Sequence, residues 1–231
     1  TILPVGSADF GKEGQKMRDF YRQQLVELNE ELIRMGASCE KIIGLSADAL
    51  TTYSEELARN VSVVGADIDE SERTIENICL KLLLRQQPVA RDLRQISAAM
   101  KMITDMERIG DQAEDIVDLI PKMAKGADEI DPRIRQMAAS ARYRVTEAVN
   151  AYVRQDLELA RTVMNYDDVI DDYFNQVKGD ILTMLAERKA GGEYALDLLM
   201  IDKYFERIGD HCTNIAEWVE FSVTGTHRSC Q

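Results

Sequence analysis

The chain has 231 residues, enough to bury a substantial core, and its composition is that of a folded protein, with 45% hydrophobic and 30% charged residues. Its formal net charge of −13 excludes a general nucleic-acid-binding protein, because neutralising phosphates requires clustered Lys and Arg. The presence of only four prolines, with much Ala, Leu, Glu and Arg, favours helices.

Cysteine spacing and hydropathy predict a cytoplasmic location. The four cysteines show no Cys-x-x-Cys spacing, so they are predicted to be reduced thiols rather than zinc ligands. No apolar run approaches the ~20 residues of a membrane span, which predicts no direct membrane insertion. The opening stretch "TILPVGSADF" lacks a basic region followed by an apolar one, so no signal peptide is expected.

Three helices are predicted in the first half of the chain. A long amphipathic stretch runs from about residue 12 to residue 51. A second helix follows "YSEELARNVSVVGAD" and ends near "RQQP", where Pro88 prevents it from continuing. The third contains "DLRQISAAMKMITDMERIGDQAEDIVDLI" and is expected to stop around Pro121.

The second half repeats this order of helices. Asp131 and Pro132 predict an N-cap followed by proline in the first helical turn. The helical stretches "IRQMAASARYRVTEAVNAYVR", "DDVIDDYFNQVKGDILTMLAER" and "YALDLLMIDKYFERIGDHCTNIAEWVEFSV" follow, and Gly191-Gly192 is predicted to end the second of them. Because no stretch alternates apolar and polar residues between turns, no sheet is predicted and the fold class is all-α.

An internal repeat relates the two halves. The pentapeptide "ERIGD" occurs at 107–111 and again at 206–210, an offset of 99, and "LAR" recurs at an offset of 102. The shift between the two offsets indicates a three-residue deletion in the second copy. The repeat predicts two three-helix bundles in tandem, a first repeat over 10–125 and a second over 129–225.

Each copy of the pentapeptide opens a row of acidic residues on one face of a helix, since residues four apart stack on that face. We call Glu107, Asp111, Glu114 and Asp118 the first acidic strip, with Asp115 close beside it. Glu206, Asp210 and Glu217 form the second acidic strip, with Asn214 beside it. Like charges at this spacing destabilise a helix, so a compensating interaction is expected.

The second helix of each half supplies further oxygen ligands. Asp167, Asp171 and Asn175 have i, i+4, i+8 spacing, whereas Gly65 takes the place of Asp167 in the first half, beside Asp69. Carboxylates without Cys or a His pair suit hard cations such as Mg²⁺, Mn²⁺ or Ca²⁺, and also iron. The spacing leaves two interpretations open, a metal site in each half or a solvated acidic face.

The same motifs resemble those of the PhoU family of phosphate regulators. The resemblance rests on "ERIGDQAEDI", "ERIGDHCTNIAEWV", "RQQPVARDLR" and "DLELARTVMNYDDVIDDYF", which recur in tandem and cover nearly the whole chain. It implies two symmetric three-helix bundles related by a pseudo-two-fold axis. It also implies a non-enzymatic protein that represses the phosphate-starvation response when phosphate is plentiful.

The resemblance further implies partners and metal ligands. The expected partners are the ATPase subunit of the phosphate ABC transporter and the phosphate sensor histidine kinase, with a homodimer left open. Some family members hold iron or zinc clusters, and Mg²⁺ or Mn²⁺ also suits the ligands. The implied metal ligands are Glu107, Asp111, Asp115, Asp69, Glu206, Asp210, Asn214, Asp167 and Asp171.

Two alternatives to a metal-binding regulator have different requirements in sequence. An oxidative di-iron enzyme is disfavoured because no Glu-x-x-His pair is present, and no P-loop or nucleophile set suggests another catalyst. A metal-free helical scaffold, whose acidic faces dock basic partner proteins, remains open. Such docking would weaken in salt and would not respond to chelators.

Overall fold

In a computed structural model, which describes residues 8–86, 89–122, 131–188 and 191–226, every regular element of the described residues is helical. The prediction of an all-α fold is therefore confirmed. The helices are α1 (Ala8–Ala49), α2 (Glu55–Gln86), α3 (Ala90–Leu119), α4 (Pro132–Arg154), α5 (Leu157–Asn165), α6 (Asp167–Ala186) and α7 (Gly192–Thr224), with a 3₁₀ turn over Ile120–Lys122 after α3. Among the described helices, none combines the length and the apolar character needed to cross a membrane.

The start of the second half follows the predicted capping chemistry. The Asp131 side chain accepts a hydrogen bond from the backbone N–H of Arg133 at 2.9 Å, and Pro132 is the first residue of α4. The Arg133 guanidinium also contacts both Asp131 and Asp180 of α6. One arginine therefore ties the beginning of α4 to α6.

The second half departs from the predicted three helices at two places. The predicted second helix begins at Asp167, as α6 does, but the additional helix α5 before it was not predicted. In the first half α2 is continuous at the position matching Tyr166 and begins at Glu55, earlier than predicted. The prediction that Gly191-Gly192 ends this helix is wrong, because α6 ends at Ala186 and Gly191 is the N-cap of α7. Arg188 turns the chain with a left-handed φ of 57°, a conformation that the glycine signal did not predict. Pro88, predicted to end the second helix of the first half, lies outside the described residues.

The two halves share one hydrophobic core. The most extensive helix–helix contact joins α3 to α7, and α1 packs against α4, so both central contacts cross between the halves. α2 packs on α1 and α3 at one side, while α5 and α6 pack on α7 and α4 at the other. Buried residues from all seven helices form a single cluster.

A pseudo-two-fold axis passes between α3 and α7. Gln112 and His211 occupy matching positions of the repeat, and their Nε2 atoms lie 3.1 Å apart. Matching residues that contact each other must lie beside the axis that relates them. The predicted pseudo-two-fold arrangement is thus visible in side-chain contacts.

Candidate metal site

The glycines of the repeated pentapeptide bring neighbouring helices close to the acidic strips. A Cβ atom on Gly110 would lie 3.3 Å from Cδ1 of Ile68, and one on Gly209 would lie 2.9 Å from Cδ1 of Ile170. Ile68 and Ile170 match each other at the repeat offset of 102. Each glycine therefore allows α2 or α6 to approach the strip helix, which places the acids on α2 and α6 beside the strip.

Three carboxylates converge in the second half. Asp171 of α6 and Glu206 and Asp210 of α7 each offer an oxygen, and these oxygens all lie within 4.8 Å of one another. Asp171 and Glu206 are half-buried and Asp210 is exposed. Converging carboxylate oxygens are the donor set that hard divalent cations and iron bind, so the residues present fit the expected metal.

Two basic side chains next to this cluster were missed by sequence reasoning. The Lys203 ammonium contacts the Glu206 carboxylate and lies 5.2 Å from the centre of the Phe174 ring. Arg144 of α4 is fully buried, contacts the Thr213 hydroxyl and reaches beneath Gly209. Lys203 could have been found, because it precedes Glu206 by three residues on the same helix face.

The first half brings its acids together less closely. In the second half, oxygens of three carboxylates lie within 4.8 Å of one another. No such group of three occurs among the described side chains of the first half. Arg108 forms ion pairs with both acidic residues of the first pentapeptide. Its Nε lies 3.5 Å from the Glu107 carboxylate and its Nη1 lies 3.2 Å from the Asp111 carboxylate. Burial raises the pKa of Glu107, and the charges of Asp111 and Asp69 raise it further. Asp69 of α2 is therefore near enough to the first acidic strip for its charge to act on Glu107.

Glu114 occupies the space left by Gly65. A Cβ atom on Gly65 would lie 2.8 Å from Cδ of Glu114, so the carboxyl group fills the position of the missing side chain. Burial raises the pKa of Glu114, followed by the charges of Asp111 and Asp69. In the second half Asp167 matches Gly65 and Thr213 matches Glu114. The acidic residue of this pair of positions therefore belongs to α3 in the first half and to α6 in the second.

Two of the predicted ligands take part in contacts between the halves. Asn214 donates from Nδ2 to Oδ1 of Asp105 at 3.1 Å. Asp115 accepts a hydrogen bond from the Tyr204 hydroxyl, whose pKa is raised by burial and by the Asp115 carboxylate. Asp115 and Asn214, at the edges of the two strips, are therefore each engaged by a side chain of the other half. The side chain of Asp167, also predicted as a ligand, lies outside the described side chains.

His211 supports helix packing. Its Nδ1 lies 2.8 Å from Oδ1 of Asp105 on α3, and its Nε2 contacts Gln112. The imidazole therefore joins α7 to α3 and is directed away from the carboxylates of the second acidic strip.

Comparisons with known proteins agree with this architecture. The family model described as "PhoU domain" matches the chain twice, over residues 32–120 and 134–219. The phosphate-specific transport system accessory protein PhoU homolog of Clostridium acetobutylicum is 33% identical over 210 residues, covering 90% of this chain and 96% of that protein. The homolog from Pseudomonas aeruginosa is 31% identical and covers 89% of this chain and 86% of that protein.

Solved structures show the same fold. The crystal structure of PhoU from Pseudomonas aeruginosa has a TM-score of 0.83 and 30% identity, covering 89% of this chain and all of that one. The phosphate transport system regulatory protein PhoU from Streptococcus pneumoniae has a TM-score of 0.82 at 22% identity and covers 90% of this chain and 98% of that one, a likeness of fold alone. With the family model matched in both halves, the chain belongs to the PhoU family.

Proposed function

We propose that this protein regulates phosphate transport as an accessory protein without catalytic activity of its own. The support is the family membership, together with relatives named as phosphate-specific transport system accessory proteins that align with about nine-tenths of the chain. The side chains gathered along the strips are carboxylates with basic counter-ions, a chemistry suited to binding. In this proposal the protein acts in the cytoplasm.

The finer proposal is negative regulation of the phosphate-starvation response. The protein would contact the ATPase subunit of the phosphate ABC transporter and the phosphate sensor histidine kinase, and so relay the state of one to the other. Two repeats that share one core offer two related faces on one packed molecule, which suits a protein that contacts two partners.

The observation that carries the metal proposal is the convergence of Asp171, Glu206 and Asp210 within 4.8 Å. These three residues would hold the cation, which would supply positive charge to offset their mutual repulsion. Because Asp171 lies on α6 and the other two on α7, joint ligation would also fix one helix against the other.

A metal-free scaffold that docks basic partners is the second candidate, and a specific observation favours it. Arg108 and Lys203 already pair with Glu107, Asp111 and Glu206, so the strips accept basic side chains of this chain itself. Basic side chains of a partner could bind the same carboxylates. Such binding would weaken steeply with ionic strength, because exposed pairs are screened within about 10 Å at 0.1 M salt.

Metal content measured by mass spectrometry on untagged protein distinguishes the two candidates. We compare the wild type with Glu206→Gln/Asp210→Asn and with the matched first-strip variant Glu107→Gln/Asp111→Asn. Stoichiometric iron, zinc, manganese or magnesium that is lost in the second-strip variant is the expected result. A metal-free wild type that binds the transporter ATPase in a salt-sensitive, chelator-insensitive manner would replace the metal proposal with the scaffold.

A further inference from the structure

The hairpin formed by α2 and α3 exposes apolar side chains at its end. Leu84 is 84% exposed and Leu80 44% exposed on the last turns of α2, and on the α3 side Val89 is 66% and Leu93 48% exposed. Each pair is spaced by four residues, so each forms a short apolar stripe running to the end of its helix. Large aliphatic side chains thus surround one end of the helix pair and are left in contact with water.

Basic residues accompany these apolar ones. The segment 77–94 contains four basic residues and one acidic residue, a net charge of +3 within a chain whose net charge is −13. Lys81 and Arg91 are exposed, and neither forms an ion pair within the described part of the chain. We call Leu80, Lys81, Leu84, Val89, Arg91 and Leu93 together the first hairpin tip.

The other hairpin has the apolar character without the positive charge. Leu182 of α6, which matches Leu80, is 60% exposed, and Leu196 of α7, which matches Ser97, is 62% exposed. The matching segment 179–193 contains two basic and three acidic residues, a net charge of −1. The combination of apolar and basic side chains is therefore specific to the first half and does not follow from the duplication.

We propose that the first hairpin tip docks peripherally on an anionic lipid surface. Exposed aliphatic side chains enter the boundary between headgroups and acyl chains, while Lys and Arg beside them bind lipid phosphates. The apolar residues are divided between the ends of two helices. A partner groove that takes a helix would instead require one continuous stripe along a single helix.

The first acidic strip does not oppose this docking. Glu107, its nearest member, follows Ala90 by seventeen residues on α3, a distance of about 25 Å along the helix. That distance is about three Debye lengths at physiological ionic strength, so the repulsion between this strip and anionic lipid is screened. A molecule standing on this tip keeps the first acidic strip above the lipid and open to other partners.

Co-sedimentation of the full chain with vesicles tests the proposal. Vesicles of phosphatidylcholine alone are compared with vesicles of phosphatidylcholine and phosphatidylglycerol in equal parts. We expect binding to the anionic vesicles alone, and a loss of roughly tenfold or more in Lys81→Glu/Arg91→Glu. Leu84→Ser is expected to weaken binding several-fold, because it removes the most exposed apolar side chain.

Matched variants elsewhere on the molecule serve as controls. Lys122→Glu/Arg135→Glu makes the same change in net charge at exposed positions outside the tip, and Leu182→Ser removes an exposed leucine from the other hairpin. Both controls should bind anionic vesicles like the wild type, and all variants should keep the wild-type melting temperature.

Three outcomes would overturn the proposal. The first is a wild type that ignores anionic vesicles, and the second is a control that loses binding as much as the tip variants. The third is a set of tip variants that bind vesicles like the wild type but no longer bind the transporter ATPase in solution. That result would assign the tip to an acidic protein partner. The strip variants Glu206→Gln/Asp210→Asn should bind vesicles normally, so failure of the metal proposal and failure of this one are separable.

Discussion

Asp202 lies on α7 at the position that Ile103 occupies on α3, and its side chain is as inaccessible to solvent as that isoleucine. Neither carboxylate oxygen has a hydrogen-bond partner among the described residues. Burial raises the pKa of Asp202 to about 8, with Asp131 and Glu206 raising it further and Arg133 lowering it. At neutral pH the folded protein therefore holds this carboxyl largely in its neutral form.

The stability of the protein should depend on pH through Asp202. The folded state binds this proton more tightly than the unfolded state, whose pKa is near 3.8. Protonated Asp202 therefore makes its full contribution to the free energy of unfolding below about pH 4, and this contribution is lost as the pH rises to about 8. Asp202→Asn removes this dependence, and chemical denaturation across that pH range measures it.

Asp197→Asn, on the same helix, is the matched control for Asp202→Asn and should leave the dependence unchanged. The prediction fails if wild type and Asp202→Asn lose stability in parallel as the pH rises.

Individual site residues were predictable where spacing along one helix decided their position. Glu107 with Asp111 and Glu206 with Asp210 followed from i, i+4 geometry, and Asp171 followed from the repeat offset. Contacts between helices could not be read in this way. Asp105, which binds His211 and Asn214, is distant from both in sequence, and the buried Arg144 has no spacing signal because its partner Thr213 belongs to another helix.

At the scale of elements, amphipathic periodicity predicted the helices well and their ends less well. α3 lies where the sequence placed it, since a long apolar stripe is a strong signal, whereas α2 begins at Glu55, within the stretch that was expected to precede it. Helix α5 was missed because it has only nine residues, too few to show a long apolar stripe. The end of α6 was misplaced because glycine marks a helix start as well as a helix end, and Gly191 begins α7.

Replacing the two pentapeptide glycines should have different effects on stability. Alanine gains about 1 kcal/mol of helix propensity at either position. In Gly209→Ala the new methyl meets Ile170 at 2.9 Å and Arg144 at 3.3 Å, an overpacking that costs about 1–3 kcal/mol. We expect a net loss of about 1 kcal/mol in Gly209→Ala and no loss in Gly110→Ala, where the nearest atom lies at 3.3 Å.

Urea denaturation of the two glycine variants measures this difference, with Gly179→Ala as the control. A Cβ atom at Gly179 meets no neighbour within 4 Å, so only the gain in helix propensity applies there. Equal effects of Gly110→Ala and Gly209→Ala would contradict the packing argument.

At the scale of the whole molecule, the halves are joined more closely than the sequence indicated. The repeat predicted two bundles, and the division into 10–125 and 129–225 stays a prediction. The contacts of α3 with α7 and of α1 with α4 make one core of the two bundles. The repeat could not reveal this contact, because internal homology says that two units exist and not how they pack.

The first half should therefore not form a stable monomer. A fragment covering residues 8–122 would expose the faces of α1 and α3 that α4 and α7 cover in the full chain. We expect it to be unfolded or to associate with itself, as judged by circular dichroism and light scattering. A folded monomeric fragment with a cooperative thermal transition would show that each repeat is stable alone.

The contact between Gln112 and His211 has a consequence for how such a molecule could arise. In a homodimer of single repeats, a side chain on the two-fold axis faces its own copy, so an amide would meet an amide and an imidazole an imidazole. Once the two copies are encoded in one gene, the facing positions can mutate independently and become a donor matched to an acceptor. The glutamine–histidine pair, held by Asp105 on one side alone, is an arrangement that a homodimer of identical repeats could not have.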